Sequence, residues 1–286
     1  MSYFYNIFKL GLIYSLLSLG VYITYSILNF PDLGVDGVIC LGGAITAVLI
    51  NKDMNVFLVM LIAILFGMTA GFVTGFLHVK FKINDLICGI ITTTSLYSIN
   101  LVIMGKKANL SLMGHRNIFD LCNFGFISRD WQVMIILILL CVIIKCLINF
   151  VMDSVFGLFL RCVGSNEKLV CAFGGNADKL KVIGLMLSNG LVALCGSIIA
   201  QYQGFCDIGM SVGALVLGLT MVILGLNLKR LLKIFEVSVC VMFGAVLYEM
   251  IICLALNFGL ETIWLKFITG FLLVLILILR RGEKVK

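Results

Sequence analysis

Charged residues are scarce in this chain, and this scarcity says most about its class. Only 12% of its 286 residues are charged, whereas 62% are hydrophobic, and the mean hydropathy is +1.18. An ordinary soluble domain has about 25% charged residues, and a soluble protein could not cover so much apolar surface with so few charges. These values exclude an ordinary soluble protein and predict that most of the chain lies in lipid.

Residues for several kinds of chemistry are also scarce. The eleven cysteines include no CxxC pair and mostly occupy apolar runs, so they predict neither a zinc site nor a disulfide framework. His78 and His115 fall on opposite sides of the membrane in the topology derived below, which argues against a shared metal site or catalytic triad. The Gly105–Lys106 pair lacks the first glycine of a P-loop and is followed by Lys107. We therefore predict no enzyme active site, metal site or cofactor in this chain.

Long apolar runs are what the chain has in abundance. A helix needs about 20 apolar residues to cross a bilayer. Nine candidate spans follow: 8–30, 35–51, 55–78, 84–104, 131–152, 180–202, 208–226, 231–256 and 261–280. The second and seventh are short and rich in glycine, a residue that lets helices pack closely in lipid. We predict an all-α polytopic membrane protein, a single transmembrane domain over 1–286, with about nine transmembrane helices and a range of eight to ten.

Lysine and arginine orient these spans, because cytoplasmic loops of membrane proteins are enriched in them. Four basic segments agree on the cytoplasmic side: 78–84, 161–181, 227–233 and 279–286. The segment 105–130 then lies outside, although it holds four basic residues, which Asp120 and Asp130 offset in part. Nine crossings also place the N-terminus outside, unless the first or second segment is re-entrant. The net charge of +7 is thus explained by cytoplasmic loops rather than by nucleic-acid binding.

An internal repeat relates the two halves of the chain. Residues 31–50 read PDLGVDGVICLGGAITAVLI, and residues 206–225 read CDIGMSVGALVLGLTMVILG. Each has Asp-Leu/Ile-Gly before a short glycine-rich helix, so Asp32 and Asp207 occupy equivalent places. The crossing count makes the two helices run in opposite directions, and inverted repeats with interrupted helices are typical of transporters. The predicted parts are a first half, 1–155, a connecting loop, 156–181, and a second half, 180–286.

Three stretches of the chain carry a resemblance to a known family. They are NFPDLGVDGVICLGGA at 29–44, KINDLICGIITTTSLYSINLVIMGK at 82–106, and the stretch 161–225 that begins RCVGSNEKLVCAFGGNADKLKVIGLMLSNGLVAL. Together they hold 106 of the 286 residues and extend from residue 29 to residue 225. They resemble the permease subunit of ABC importers of the branched-chain amino acid and ribose type, also described as type II binding-protein-dependent. The most similar branch is the one labelled a tryptophan/tyrosine or general amino-acid uptake system.

The resemblance implies a role and a set of partners. The chain would be a multi-pass permease of the cell membrane that translocates a small solute, most simply an amino acid or a related compound. An extracytoplasmic binding lipoprotein would deliver the solute, and the segment 105–130 would meet it. A second copy of the permease would complete a homodimer or, with a close relative, a heterodimer. ATP and Mg²⁺ would be bound by a separate ATP-binding subunit.

A polar loop at 161–181, RCVGSNEKLVCAFGGNADKLK, interrupts the apolar sequence. Ser165 and Asn166 are candidate N-caps of a helix of about two turns, which the Gly174–Gly175 pair would end, and Asn176 tolerates the left-handed conformation. By themselves these residues fit either an ordinary connecting loop or a short helix off the membrane. The resemblance implies a coupling helix that docks in a groove of the ATPase. Its coupling residues would be Arg161, Gly164, Asn166, Leu169, Ala172, Phe173, Gly175 and Asn176. Alternatively, Arg161 anchors a helix end at the lipid headgroups.

Polar side chains within the predicted spans are candidates for the translocation pathway, because charges in lipid are costly and usually face the protein interior. Three aspartates lie at the broken helices, whose N-termini attract a carboxylate. Three polar residues of the fourth helix, at spacings of four and three, share one face. The candidate pathway residues are Asp32, Asp36, Thr93, Tyr97, Asn100, Asn189, Gln201, Gln203 and Asp207. Each of them could equally be an interhelical hydrogen-bonding group or a helix cap.

Two classes of function remain open from the sequence. The first is an ABC-importer permease that a separate ATPase drives through the loop. The second is a self-sufficient secondary transporter that uses Asp32, Asp207 or Glu249 as a proton or sodium site. Gradient-driven uptake by proteoliposomes that hold this chain alone would favour the second class.

Overall fold

Helices make up most of the chain that the computed structural model describes, namely residues 2–120, 128–231 and 235–284. The α-helices are α1 Ser2–Val21, α2 Val35–Ile50, α3 Val56–Phe81, α4 Asp85–Ile103, α5 Arg129–Asp153, α6 Val155–Ser165, α7 Glu167–Ala172, α8 Ala177–Gln203, α9 Ala214–Leu231, α10 Val237–Asn257 and α11 Leu265–Lys284. A π-helix, Tyr22–Ile27, continues α1, and 3-10 turns occupy Ile118–Asp120 and Thr262–Trp264. Strands β1 Asn109–Ser111 and β2 Phe205–Asp207 form an antiparallel pair.

Six helical segments in the described part of the chain are long and apolar enough to cross a membrane: Tyr5–Ile27, Val56–Phe81, Asp85–Ile103, Arg129–Asp153, Ala177–Gln203 and Val237–Asn257. They confirm the predicted all-α, polytopic membrane protein and coincide with six of the nine predicted spans. The predicted spans 35–51 and 261–280 form the shorter apolar helices α2 and α11. The span 208–226 begins later than expected, at Ala214, because β2 and a turn occupy residues 205–213. The total of nine crossings stays a prediction.

Asparagine starts four of the helices. The Oδ1 atom of Asn55 accepts a hydrogen bond from an N–H group in the first turn of α3, and Asn84 does the same for α4. Asn166 caps α7 and Asn176 caps α8 in the same way. The first N–H groups of a helix have no partner within the helix, so a side-chain acceptor at this position fixes where the helix begins. Local sequence therefore determines these four boundaries.

Helices α1 and α8 form the centre of the bundle. They contact each other; α8 also packs against α2 and α3, and α1 packs against α9 and α10. The crossing of α2 and α8 is very close: a Cβ atom on Gly42 would lie 2.0 Å from the carbonyl oxygen of Ala193, and one on Gly196 would lie 2.0 Å from that of Ile39. Glycine at both positions lets the two backbones touch, which is how helices pack tightly in lipid.

The two ends of the bundle differ. The β end holds β1 and β2, where the backbone N–H of Leu112 bonds to the carbonyl of Gly204 at 2.8 Å and Gln201 accepts a hydrogen bond from the backbone N–H of Ile118 at 3.0 Å. The α6–α7 end holds residues 155–172. Long helices such as α5 connect the two ends.

Polar contacts at the α6–α7 end join the end of α5 to the start of α10. The Ser238 hydroxyl donates to Asn149 at 2.7 Å. The exposed carboxylate of Glu236 is held by Lys145 and Asn149, and these hydrogen bonds, that of Lys145 first, lower its pKa. The C-terminal end of α5 and the N-terminal end of α10 therefore lie at the same end of the bundle.

Both α2 and α9 begin inside the bundle instead of at an end. The turn before α2 is held by Asn189, in the middle of α8, and α9 begins where Asp36 accepts hydrogen bonds from its first N–H groups. Helix α2 runs to the β end, where Asn51 donates to the Ser111 carbonyl at 3.1 Å. Helix α9 runs to the α6–α7 end, where Gly225 packs against the start of α10. The two half-helices therefore run in opposite directions from a shared middle.

Candidate functional site

The turn before α2, centred on Asp32, is sealed from solvent. The Asp32 side chain is fully buried; its Oδ1 atom accepts a hydrogen bond from the Gly34 N–H at 2.7 Å, and its Oδ2 atom accepts one from the Asn189 side chain at 2.8 Å. The Oδ1 atom of Asn189 is buried and has no hydrogen-bond partner among the residues that the structure describes. Asp32 thus holds a turn and joins it to α8.

The turn at Asp207 has the same local geometry in a more open setting. Its Oδ1 atom accepts from the Gly209 N–H at 2.8 Å, and Oδ2 accepts from the Asn109 side chain at 3.5 Å. The residue is half-buried and belongs to β2, at the β end. The repeated Asp-Leu/Ile-Gly sequence therefore forms the same side-chain-to-backbone turn twice, with different surroundings.

Asp36 connects the two half-helices. Its two carboxylate oxygens accept hydrogen bonds from the backbone N–H groups of Gly213, at 3.0 Å, and Leu215, at 2.9 Å. A carboxylate at a helix N-terminus satisfies free N–H groups and complements the helix dipole. The anion that occupies the start of α9 is thus a side chain of the protein itself, which matches the helix-cap alternative for this residue.

The predicted polar face of α4 is divided between two environments. The Thr93 hydroxyl donates to the Leu33 carbonyl at 2.6 Å, and the buried Asn100 side chain donates to the Gly37 carbonyl at 3.1 Å, so both hold the start of α2. Tyr97 lies between them in sequence, but its side chain is 54% exposed on the outside of the bundle. Of the three residues that the spacing placed on one face, Thr93 and Asn100 contact α2 and Tyr97 does not.

The two glutamines at the end of α8 also differ. Gln201 is buried and accepts the hydrogen bond from Ile118, which holds the 3-10 turn at 118–120 on the bundle. Gln203 is exposed and lines a cavity of about 460 Å³ at the β end, together with His115 and Arg116. Gln201 lines the same cavity, so the two glutamines differ in exposure: Gln201 is buried and Gln203 is exposed.

The predicted coupling loop forms two short helices, α6 and α7, at one end of the bundle. Asn166 caps α7 by accepting hydrogen bonds from the N–H groups of Lys168 and Leu169 at 3.1 and 3.4 Å. Gly174 has a φ of +75° and ends the helix, as expected. Asn176 is not left-handed: its φ is −101°, because its side chain caps α8 instead.

The side chains of α7 are sorted by burial. Val170 is fully buried and packs with Val163 and Ala177, which holds α7 against α6 and α8. Leu169 is 44% exposed and Phe173 is 74% exposed. The exposed set also includes Cys171, Ala172 and Gly174. An apolar surface therefore remains uncovered on a helix that lies outside the six candidate spans.

The remaining predicted residues of the loop hold its backbone in place. The Arg161 guanidinium donates to the carbonyls of Gly157, at 3.3 Å, and Met152, so it bridges the junction of α5 and α6. The Gly175 N–H bonds to the Val170 carbonyl at 2.9 Å. Arg161 therefore has an internal role at this junction.

Gly164 brings α6 onto the end of the first transmembrane segment. A Cβ atom on Gly164 would lie 1.8 Å from the carbonyl oxygen of Ile27, so only glycine allows this approach. Ile27 ends the π-helix five residues before Asp32. The predicted loop thus touches the segment that leads into the buried turn, a contact that spacing along the sequence could not reveal.

A second connection runs from α7 to the same segment and was missed by sequence reasoning. Lys181 forms an ion pair with Glu167 at 2.6 Å, and its Nζ atom lies 3.4 Å from Nε2 of His78. The His78 ring packs edge-on against Phe30, with 5.1 Å between ring centroids. The only sequence signal was the presence of Lys181 and Glu167 in one polar loop.

The described residues contain no cluster of three His, Cys, Asp or Glu side chains that could hold a metal ion. His78 lies near the α6–α7 end, whereas His115 contacts Asp53 at 3.0 Å near the β end. The two histidines are therefore far apart, at opposite ends of the bundle.

Comparison with known proteins places the chain among transport proteins. The sequence profile of the family described as branched-chain amino acid transport system / permease component matches residues 3–277. The chain is 38% identical over 274 residues to the tyrosine transport system permease protein of Clostridioides difficile, which covers 96% of this chain and 90% of that protein. It is 35% identical over 262 residues to the uncharacterized protein RP368 of Rickettsia prowazekii, with 90% of each chain covered.

A further relative is more distant. The ribose import permease protein RbsC of Haemophilus influenzae is 27% identical over 175 residues, which is 59% of this chain and 52% of that protein. No solved structure matches the chain. The family match over residues 3–277, together with six candidate membrane-spanning helices, shows that this chain is a multi-pass cell membrane protein and belongs to the permease family of ABC importers of the branched-chain amino acid and ribose type.

Proposed function

We propose that this chain is the membrane permease of an ABC importer for an amino acid with a large side chain. A binding lipoprotein outside the membrane delivers the solute, and a separate ATPase that binds ATP and Mg²⁺ drives its release into the cytoplasm. The similarity to the tyrosine transport system permease protein of Clostridioides difficile supports an aromatic amino acid as the substrate.

The observation that carries this proposal is the surface of α7. This helix is capped at both ends, is held to the bundle by Val170, and exposes Leu169 and Phe173 outside the candidate spans. An amphipathic helix with exposed apolar side chains is suited to a groove in a partner. Docking of the ATPase on this surface would explain why the two apolar residues are left uncovered.

Two contacts would carry movement of α7 into the bundle. One is the backbone approach of Gly164 to Ile27, and the other is the chain of contacts from Glu167 through Lys181 and His78 to Phe30. Both reach the short segment before Asp32. We propose that nucleotide-driven movement at the α6–α7 end shifts this segment and thereby changes access to the middle of the bundle.

Helix packing supports the proposed inverted halves. Helix α8 packs on α2 and α3, and its counterpart α1 packs on α9 and α10; α2 also contacts α4, as α9 contacts α11. The α3–α4 pair is joined by the hydroxyls of Thr74 and Thr92 at 2.9 Å, and the α10–α11 pair by those of Tyr248 and Thr269 at 2.6 Å. Transporters with inverted halves usually have their pathway at the interface of the halves, and we propose the same arrangement here. Of the candidate pathway residues, Tyr97 and Gln203 are exposed, Asp36, Thr93 and Asp207 are partly exposed, and Asp32, Asn100, Asn189 and Gln201 are buried.

The outer face of α4 supports a second copy. This candidate span leaves four polar side chains exposed: Thr94, Ser95, Tyr97 and Ser98. Polar side chains in a membrane usually face protein or water rather than lipid. We propose that a second permease copy covers this face. A mass measurement on the assembled importer should find two permease copies per complex, and a single copy would contradict the homodimer.

Cross-linking tests the role of α7. Cys171 is an exposed native cysteine of α7, and Cys146 is an exposed cysteine of α5 that serves as the matched control. We expect a cysteine-directed cross-linker to join Cys171, but not Cys146, to the ATPase subunit in membranes. Deleting the ATPase gene should abolish uptake of L-tyrosine. Cross-links from both cysteines alike, or gradient-driven uptake by the chain alone, would contradict the proposal and favour a secondary transporter.

A further inference from the structure

Glu249 is a buried acid for which neither the fold nor the coupling route accounts. It lies in the middle of α10 and is 8% exposed. Within the described part of the chain its carboxyl group forms no hydrogen bond and no ion pair. A carboxylate that is removed from water without a partner is costly unless a cation or a hydrogen-bond donor compensates it. The position therefore calls for a ligand.

The carboxylate lines a cavity between α1, α9, α10 and α11. The cavity has a volume of about 570 Å³, within the range of about 300–1,000 Å³ that is usual for small-molecule sites. Its walls are mainly apolar and include Leu10, Ile252 and Leu256, with the rings of Tyr14 and Tyr248 beside them. A hydrogen bond of 2.6 Å between Tyr248 and Thr269 fixes the α10–α11 wall.

Two charged residues that line this cavity, Glu249 and Lys266, lie at different depths. Glu249 lies eight residues before the end of α10, which is about 12 Å along the helix. Lys266, in the first turn of α11, lines the same cavity at the β end. Of the described residues that line the cavity, Glu249 carries the one carboxylate. Ca²⁺ and similar hard cations prefer six or more oxygen ligands, so a lone carboxylate between apolar walls suits an organic ammonium group better.

We propose that this cavity binds a zwitterionic amino acid with a large apolar or aromatic side chain. Its ammonium group pairs with Glu249, its carboxylate points toward Lys266, and its side chain packs on the apolar walls. This assignment rests on the proposed function and deepens it, because it names the group that recognises the substrate. It also places the substrate beside Gly213, at the start of the half-helix α9.

Direct binding to the full-length chain in lipid nanodiscs tests the site. Glu249→Gln should weaken binding of radiolabelled L-tyrosine by about 10–100-fold, since it removes one charge-assisted contact. The control Glu261→Gln removes the same charge from an exposed residue just after α10 and should leave binding unchanged. Tyramine, which keeps the ammonium group, should compete, whereas N-acetyl-L-tyrosine should not. Equal binding by Glu249→Gln, or equal competition by both compounds, would overturn the assignment.

A second measurement needs no variant and so does not depend on folding of Glu249→Gln. Cys253 lines the cavity, whereas Cys146 is exposed on α5 and lies outside it. L-tyrosine should slow the reaction of N-ethylmaleimide with Cys253, measured by peptide mass spectrometry, and should leave Cys146 unaffected. No protection of Cys253, or equal protection of both cysteines, would show that the amino acid does not occupy the cavity.

The two proposals can fail separately. Both binding measurements use the permease without nucleotide or partners. Binding that depends on Glu249 in a chain whose uptake is independent of ATP would keep the site and reject the importer. ATP-dependent uptake that is normal in Glu249→Gln, with no protection of Cys253, would keep the importer and reject the site.

Discussion

The turns at Asp32 and Asp207 are built from the same short sequence, yet Asp32 is held in the middle of the bundle and Asp207 at its β end. In each, the aspartate accepts a hydrogen bond from the glycine N–H two residues later, at 2.7 and 2.8 Å. Asp32 is sealed against α8 through Asn189, whereas Asp207 is half-buried in a β-strand pair. A repeated motif thus specifies a local turn, and its surroundings decide what acts on that turn.

The two turns also differ in which end of the bundle contacts them. Elements of the α6–α7 end touch the segment before Asp32, through Gly164 and His78. The Asp207 turn has its contacts at the β end, where Asn109 donates to it. On the proposed function, the cytoplasmic ATPase acts on the first turn, and the delivered solute meets the second. Three substitutions test this contrast, in order of decreasing expected effect.

The largest effect is expected for Asp32→Ala. The change leaves two donors without their acceptor, the Gly34 N–H and the Asn189 amide, in the interior of the bundle. Each unsatisfied buried group costs about 1–3 kcal/mol, so the free energy of unfolding should fall by about 2–6 kcal/mol in total. Denaturant unfolding of the purified chain in detergent micelles measures it. Asp32→Asn keeps one acceptor oxygen and should lose less; a wild-type stability for Asp32→Ala would show that the turn is not sealed.

A smaller loss of stability but a clear loss of coupling is expected for Gly164→Ala. The added methyl group would meet the carbonyl oxygen of Ile27, and overpacking of this kind costs about 1–3 kcal/mol. Because α6 would be displaced from the segment before Asp32, uptake should fall while ATP hydrolysis by the assembled complex continues. Gly270→Ala is the matched control, since a Cβ atom there has open space around it. Uptake and hydrolysis that fall in parallel would argue against a coupling contact.

The smallest effect is expected for Asp207→Ala. This change removes one well-formed acceptor, that of the Gly209 N–H, from a half-buried turn where water can replace it. A net loss of about 0.5–1.5 kcal/mol follows, measured in the same unfolding assay as Asp32→Ala. If Asp207→Ala proves as destabilising as Asp32→Ala, the two turns are equivalent in burial and the contrast between them is lost.

Much of the fold could be predicted because it depends on local properties. Apolar runs of about 20 residues predicted the six long helices, and a capping asparagine with a glycine stop predicted α7. The repeat predicted equivalent places for Asp32 and Asp207, each before a short helix, and the structure shows the same local turn at both. Each of these features is decided within a few residues of sequence, so no knowledge of distant contacts was needed.

The candidate site could be predicted only in part. Thr93 and Asn100 meet α2 as their spacing suggested, but Tyr97 on the same stripe faces outward, because α2 covers only part of α4. Asn176 caps α8 instead of ending α7, because its side chain accepts a hydrogen bond from the Lys179 N–H in the first turn of α8. In both cases a neighbouring helix, α2 or α8, determined which of two roles the residue has.

The sequence by itself determined that most of this protein lies in the membrane, that its backbone is helical, and that a capped helix interrupts the apolar segments. These properties follow either from the amino-acid composition of the whole chain or from residues that are neighbours in the sequence. Only the tertiary structure decided that Gly164 meets Ile27, that Asp32 is fully buried while Asp207 is half-buried, and that Glu249 faces a cavity. Each of these depends on which helices meet, and contacts between residues far apart in the chain arise from packing that no local pattern encodes.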